Sequence, residues 1–150
     1  MLFRSPAQDL LHRALKQGDV GIESAVEEVL RWTHPSRHLG RTALEPVEIA
    51  GGRIEEGDVV TVWIASANFD EREFPLPDDL LLDRTPNRHL TFAYGPHFCV
   101  GARLGRIQLA ATLRALRDKV ASIEVTGRPE RVYSNFLGGV CNLPVLLKAT

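Results

Sequence analysis

Only two cysteines, Cys99 and Cys141, occur in the 150 residues, and neither belongs to a CxxC pair. Two isolated thiols make no disulfide framework, and a zinc site assembled from paired ligands is argued against. Long hydrophobic runs are missing as well. The most apolar stretch, around Val59 to Ile64, is far too short to span a bilayer. The opening MLFRSPAQDLL has neither the apolar core nor the cleavage pattern of a signal peptide, so the expected location is cytoplasmic. Nor does one sign of charge dominate. The 18 Lys and Arg nearly balance the 19 Asp and Glu, which points to neither a nucleic acid nor a membrane partner. No repeat or low-complexity segment is visible. What is present is ordinary globular composition, 44% hydrophobic and 25% charged. This length is enough for one domain over residues 1–150 with a real core.

Periodicity divides the chain. Ser5-Pro6 reads as an N-cap and first helical position, and Leu10, Leu11, Ala14 and Leu15 give one apolar face ending near Gly18. A second helix is expected from Ile22 to Trp32, with Pro35 beyond its end. From His38 to Ser66, glycine-rich and charged turns separate VEIA and VVTVWIA, which read as hairpin-connected strands. Residues 68–90 carry Pro75, Pro77 and Pro86, so no regular element is expected there. An irregular segment of that length usually supports a site. A helix from Ala102 to Val120 follows, with a stripe of Leu109, Leu113, Leu116 and Val120 beside Leu104, Ile107 and Ala111. That composition predicts a largely buried helix. Short strands and turns complete the chain from Ser122.

Between the irregular segment and that helix lies HLTFAYGPHFCVGARLGRIQL, His89 to Leu109. Gly95 and Gly101 flank Cys99, and glycine permits positive φ and close approach of backbone to a flat ligand. Cys99 immediately precedes a helix start, where free N–H groups and partial positive charge stabilise a thiolate. Such a thiolate can be a nucleophile, a zinc ligand or an axial ligand to haem iron; a buried structural cysteine is the plain alternative.

The five-position pattern Phe92-x-x-Gly95-x-His97-x-Cys99-x-Gly101 resembles the haem-binding loop of the cytochrome P450 family. Glu28-Val29-Leu30-Arg31 is similar to that family's Glu-x-x-Arg helix, and Asn68 to Arg84 to its proline-bearing meander. The resemblance implies a fold mainly of α-helix with small β-sheets (α+β), specifically the C-terminal part of the family fold. It also implies haem b (iron protoporphyrin IX) held through the Cys99 thiolate as axial iron ligand, whose anionic sulfur pushes electron density onto the iron. By the same resemblance, His97 and Arg41 hold the haem propionates, and Glu28, Arg31 and Arg84 form a buried salt-bridge network. Pro35 to Leu39 and the pair Phe136 and Leu137 face substrate. Nothing in the chain resembles the family's long distal helix with its acidic residue and threonine for oxygen activation, or the helix that supplies further propionate donors.

Three functions stay open on these residues. The first is a haem-thiolate monooxygenase, truncated, that inserts one oxygen atom of O2 into a small organic substrate with electrons from a ferredoxin or flavodoxin. The second is a non-catalytic haem-binding or structural remnant. The third is a zinc or redox-thiol protein using His97 and Cys99. For the electron donor, the stretch from Arg84 to Arg117 contains no Asp or Glu. Its arginines 88, 103, 106, 114 and 117 suggest a docking face for an acidic protein, whereas the meander holds Asp70, Glu71, Glu73, Asp78, Asp79 and Asp83.

Overall fold

The computed structural model describes residues 14–18 and 20–150. Most of the helix expected from Ser5 to Gly18 lies outside them. Residues 14–17 are helical, and Leu15 is buried in the core. Helix α1, Ile22–Thr33, buries Ile22, Ala25, Val26 and Leu30 along one stripe. On the adjoining stripe it also buries Glu28 and Arg31, one turn apart. His34 ends the helix in a left-handed conformation (φ 28°), its N–H bonded to the Leu30 carbonyl, and Pro35 blocks continuation.

Four two-stranded antiparallel sheets account for the strands among the described residues. Strand β1, Leu39–Thr42, pairs with β4, Val59–Val62. Between them, β2 (Val47–Ile49) and β3 (Gly52–Ile54) form a hairpin closed by Ala50 and Gly51, both at positive φ (51° and 79°). Positive φ at both central residues is the turn geometry that matches strand twist, and it is the reason for glycine here. The strand expected through Ala65 stops at Val62, because Trp63 becomes the N-cap of a single helical turn, α2 (Ile64–Ala67). Ala65 donates to the Arg37 carbonyl, so the turn answers a tertiary partner rather than the β-branched run before it.

Residues 68–94 run in turns and bends without regular structure. A 3-10 turn, Gly95–His97, leads to helix α3, Ala102–Lys119. The helix stops one residue short of the expected Val120, which opens β5 (Val120–Val125). That strand pairs with β8 (Val145–Ala149), and inside it β6 (Glu130–Arg131) pairs with β7 (Val140–Asn142). The core gathers Leu15, α1, Ala110 and Leu113 of α3, and Leu80 and Leu82 of the irregular segment, with Phe92 packed against it. Unlike the expectation of a largely buried helix, α3 buries only Ala102, Ala110 and Leu113, and it leaves Leu104 and Ile107 more than half exposed.

Candidate functional site

Two polar assemblies flank the cysteine loop. In the first, the fully buried Glu28 carboxylate receives Arg31 as a two-pronged fork, Nε and Nη2 each 2.8 Å from an oxygen. Arg84 Nε lies 3.1 and 3.2 Å from the same two oxygens. The Leu81 N–H and Asn87 Nδ2 complete the shell at 3.0 Å. The free ends of both guanidinium groups donate to carbonyls of the irregular segment. Arg31 reaches Asn68, Pro77 and Asp79; Arg84 reaches Pro75, Leu76 and Asp79. A segment without ladder partners leaves its carbonyls needing donors, and two five-donor forks supply them. Phe74, buried beside them, lies 5.4 Å from Arg31 and 6.0 Å from Arg84.

Asn68 was not singled out from the sequence, yet it is fully buried and acts as a hub. Its Oδ1 accepts the Leu90 N–H at 2.8 Å, and its Nδ2 donates to the Arg31 carbonyl and to Thr91 Oγ1. Thr91 in turn donates to the Leu30 carbonyl. The start of the cysteine loop is thereby tied to the end of α1.

The second assembly also escaped the sequence reading. Glu27, on the neighbouring face of α1, takes Arg106 of α3 at 2.7 and 2.9 Å and His89 Nε2 at 3.1 Å. Two adjacent acids on one helix point about 100° apart, and that pairing was the available signal for a second cation. The Thr91 N–H donates to His89 Nδ1 at 3.3 Å, so Nδ1 is unprotonated and Nε2 carries the hydrogen given to Glu27. Burial drives the imidazole pKa below its ordinary value; the Glu27 hydrogen bond opposes this but does not cancel it. In the Glu27–His89 contact the ring Nε2–H therefore donates to the Glu27 carboxylate. Burial alone raises the Glu27 pKa, but the Arg106 hydrogen bonds and charge, with a smaller part from His89, bring it below the usual carboxylate range.

The loop itself is built from backbone bonds. The Cys99 N–H donates to the Phe92 carbonyl at 2.9 Å, the Phe98 N–H to Gly95, and the Ala102 N–H to the Cys99 carbonyl. Gly95 sits at φ 74° with open space where a side chain would point. A Cβ at Gly101, the N-cap of α3, would lie 3.8 Å from Cys99 Sγ, so the sulfur rests over the helix start. Cys99 is an exposed free thiol; Cys141, on β7, is another. Around Cys99 in sequence, Tyr94, Phe98, Val100, Leu104 and Ile107 all present exposed apolar surface. His97 ends the 3-10 turn and is exposed, and so is Arg41 on β1, whose Nη1 donates to the neighbouring Gly40 carbonyl. A bare thiol at a helix N-terminus, a side-chain-free glycine, apolar surface and exposed His97 and Arg41 donors fit a flat ligand with a metal centre and carboxylate arms.

Pro35 to Leu39 meets Phe136 and Leu137 directly. The Arg37 N–H donates to the Phe136 carbonyl at 2.9 Å, Ser36 bridges Leu137, and the His38 ring stands edge-on to Phe136 at 5.6 Å and against Trp63 at 5.0 Å.

The arginine face needs correction. Arg106 is engaged by Glu27, Arg114 by Glu23 and Arg117 by Asp118. The stretch without acids in sequence is thus answered by acids from α1 and the end of α3. Among the described residues only Arg88 and Arg103 of the five lack an ion pair. No group of three or more His, Cys, Asp or Glu that could hold a metal ion occurs among the described residues. No described helix is long and apolar enough to cross a membrane.

The fold thus places the exposed Cys99 thiol over a helix N-terminus beside a buried arginine–carboxylate scaffold. The cytochrome P450 family profile matches residues 22–117. Cytochrome P450 NovI of Streptomyces niveus is 53% identical over 96% of the chain and 35% of its own length. Linalool 8-monooxygenase of Pseudomonas putida is 39% identical over 89% of the chain and 33% of its own length. The crystal structure of P450 OxyD, involved in the biosynthesis of vancomycin-type antibiotics, superposes with a TM-score of 0.90 at 37% identity, covering 99% of the chain and 37% of that structure. The chain belongs to the cytochrome P450 family. It spans about a third of the length of these relatives, which include monooxygenases, and it has the mixed helices and small sheets of part of their fold. Membership implies a haem-thiolate cofactor.

Proposed function

We propose that the chain is the thiolate-bearing portion of a haem-thiolate monooxygenase acting on a small organic substrate, with Cys99 as the sole protein ligand to the iron. The observation that carries this reading is the exposed Cys99 sulfur over the N-terminus of α3 in a loop opened by Gly95. When bound, haem supplies the one-electron and dioxygen chemistry by which one oxygen atom enters the substrate. The chain's own residues bind and orient. The Cys99 sulfur lies over the start of α3, Phe92 and Gly101 would shape the loop that meets the porphyrin, and His97 and Arg41 would offer hydrogen-bond donors to its propionates. The Phe136–Leu137 and Pro35–Leu39 strip presents apolar and aromatic side chains to a substrate. Electrons come from a ferredoxin or flavodoxin, with Arg88 and Arg103 as the uncommitted cations for docking. A cytoplasmic location accords with that donor.

Haem titration of the chain and of Cys99→Ala tests the reading, followed by reduction with a ferredoxin in the presence of O2. Tight binding that Cys99→Ala loses supports the ligand assignment. Binding through Cys99 with no oxygenated product from any substrate offered would instead make this a non-catalytic haem-binding protein.

A further inference from the structure

We infer that Glu27 and Arg106 are positioning residues for the Cys99 thiol, acting through Phe92; this rests on the haem-thiolate reading above. Arg106 cannot turn freely, because Glu27 holds it through two hydrogen bonds of 2.7 and 2.9 Å. Held there, its guanidinium carbon lies 4.6 Å from the centroid of the Phe92 ring. The same ring touches the helix at Gly105, where an added Cβ would come within 3.6 Å of it, and meets Phe98 edge-on at 6.3 Å. Phe92 is therefore clamped between α3 and the loop. Its carbonyl is the acceptor for the Cys99 N–H. The clamp thus fixes both ends of the segment from Phe92 to Cys99 and with it the place of the sulfur over Gly101.

Glu27 serves the opposite side of the loop as well. By accepting His89 Nε2–H it sets the ring that receives the Thr91 N–H, one residue before Phe92. One carboxylate on α1 therefore governs the entry to the loop and the ring at its base. A planar fork over an aromatic face and a point charge differ here: lysine in place of Arg106 keeps the charge facing Glu27 but loses both the second hydrogen bond and the flat contact with Phe92.

The test uses the full 150-residue chain carrying Cys141→Ser, so that Cys99 is the only thiol. Arg106→Lys and Glu27→Gln are compared with the parent in three ways: thermal unfolding, the pH profile of Cys99 alkylation by iodoacetamide without haem, and the carbon-monoxide spectrum after haem is added. The expected result is near-parental unfolding with a several-fold change in alkylation rate at fixed pH. In the spectrum, part of the thiolate signature is replaced by that of a protonated or displaced thiol. Parental alkylation profiles in both folded variants would overturn the inference. So would a change that appears only in proportion to lost stability. If instead Cys99→Ala leaves haem binding unaltered, the haem-thiolate reading fails, while the alkylation profiles still judge the positioning pair.

Discussion

The buried network around Glu28 and the cysteine loop are tied together through Asn68 and Thr91 and are built on opposite terms. Around Glu28, every guanidinium nitrogen of the two arginines donates to an acceptor inside the protein, and the groups are withdrawn from water. Around Cys99, backbone hydrogen bonds from Phe98, Cys99 and Ala102 hold the loop, but the side chains of Tyr94, His97, Phe98, Cys99 and Val100 all stay exposed. An assembly whose charges are answered inside the protein, with only the buried Asn87 Oδ1 lacking a partner among the described residues, has no charge left to offer a ligand, and its role is to hold an irregular segment in one shape. A loop with fixed backbone and open side chains is placed to receive something. The polar part with the highest charge density is thus the scaffold, and the nearly featureless thiol loop is the proposed site.

The sharpest way to break that comparison is to remove the carboxylate the scaffold shares. Glu28→Ala strands two buried guanidinium groups and should cost about 3–5 kcal/mol. Urea unfolding followed by circular dichroism measures it, and a loss under about 1 kcal/mol would mean that the network is dispensable. Asn68→Ala should cost less, about 1–3 kcal/mol, because it leaves the Leu90 N–H without its buried acceptor but strands no charge.

A smaller effect comes from pH. His89 has a native pKa below its ordinary value of 6.5, so the unfolded chain takes up a proton before the folded one does. Its contribution is complete above pH 6.5 and is lost as pH falls from there through the lowered native value. Charged neighbours facing the ring are Glu27, Glu28 and Arg106. Glu27 acts in a separate, more acidic window: its stabilisation is present above the ordinary carboxylate value and disappears as pH drops through its lowered native one. Unfolding midpoints at about pH 7 and about pH 5.5 should therefore differ more for the parent than for His89→Gln, which cannot titrate. Equal slopes would assign the acid loss elsewhere. At the bottom of the scale, Cys99→Ser and Arg114→Ala should each shift stability by less than about 0.5 kcal/mol. The Cys99 thiol is exposed, and the Arg114–Glu23 pair is largely solvated. A large loss on replacing Cys99 would make it a structural residue and erase the contrast between the two regions.

Much of this was readable in advance where chemistry is carried by local pattern. Helices α1 and α3 follow from apolar spacing, and VEIA and VVTVWIA do contain strands, but they are not paired with each other as expected: Val47–Ile49 pairs with Gly52–Ile54, and Val59–Val62 with Leu39–Thr42. The Cys99 loop follows from its fixed motif. What escaped depends on partners far away in sequence. The run VVTVWIA reads as one strand, yet it turns helical at Ile64 where Ala65 meets Arg37. A lone Asn68 in an irregular stretch has no period, and its importance emerges only when Leu90 and Thr91 return to it. The arginine run from 88 to 117 shows its charge in sequence but not its neutralisation, since Glu23 and Glu27 reach it from a helix some eighty to ninety residues earlier. Leu104 and Ile107 fit a buried helix by composition, whereas their exposure depends on which faces the rest of the fold covers.

The central claim is that Cys99 is the iron ligand, and the most direct test is the spectrum of reduced, carbon-monoxide-treated protein after haem addition. The parent and Cys141→Ser should both show the Soret band of thiolate-ligated haem, and Cys99→Ser should lose it while remaining folded. The same band in Cys99→Ser, or its loss in Cys141→Ser alone, would contradict the assignment.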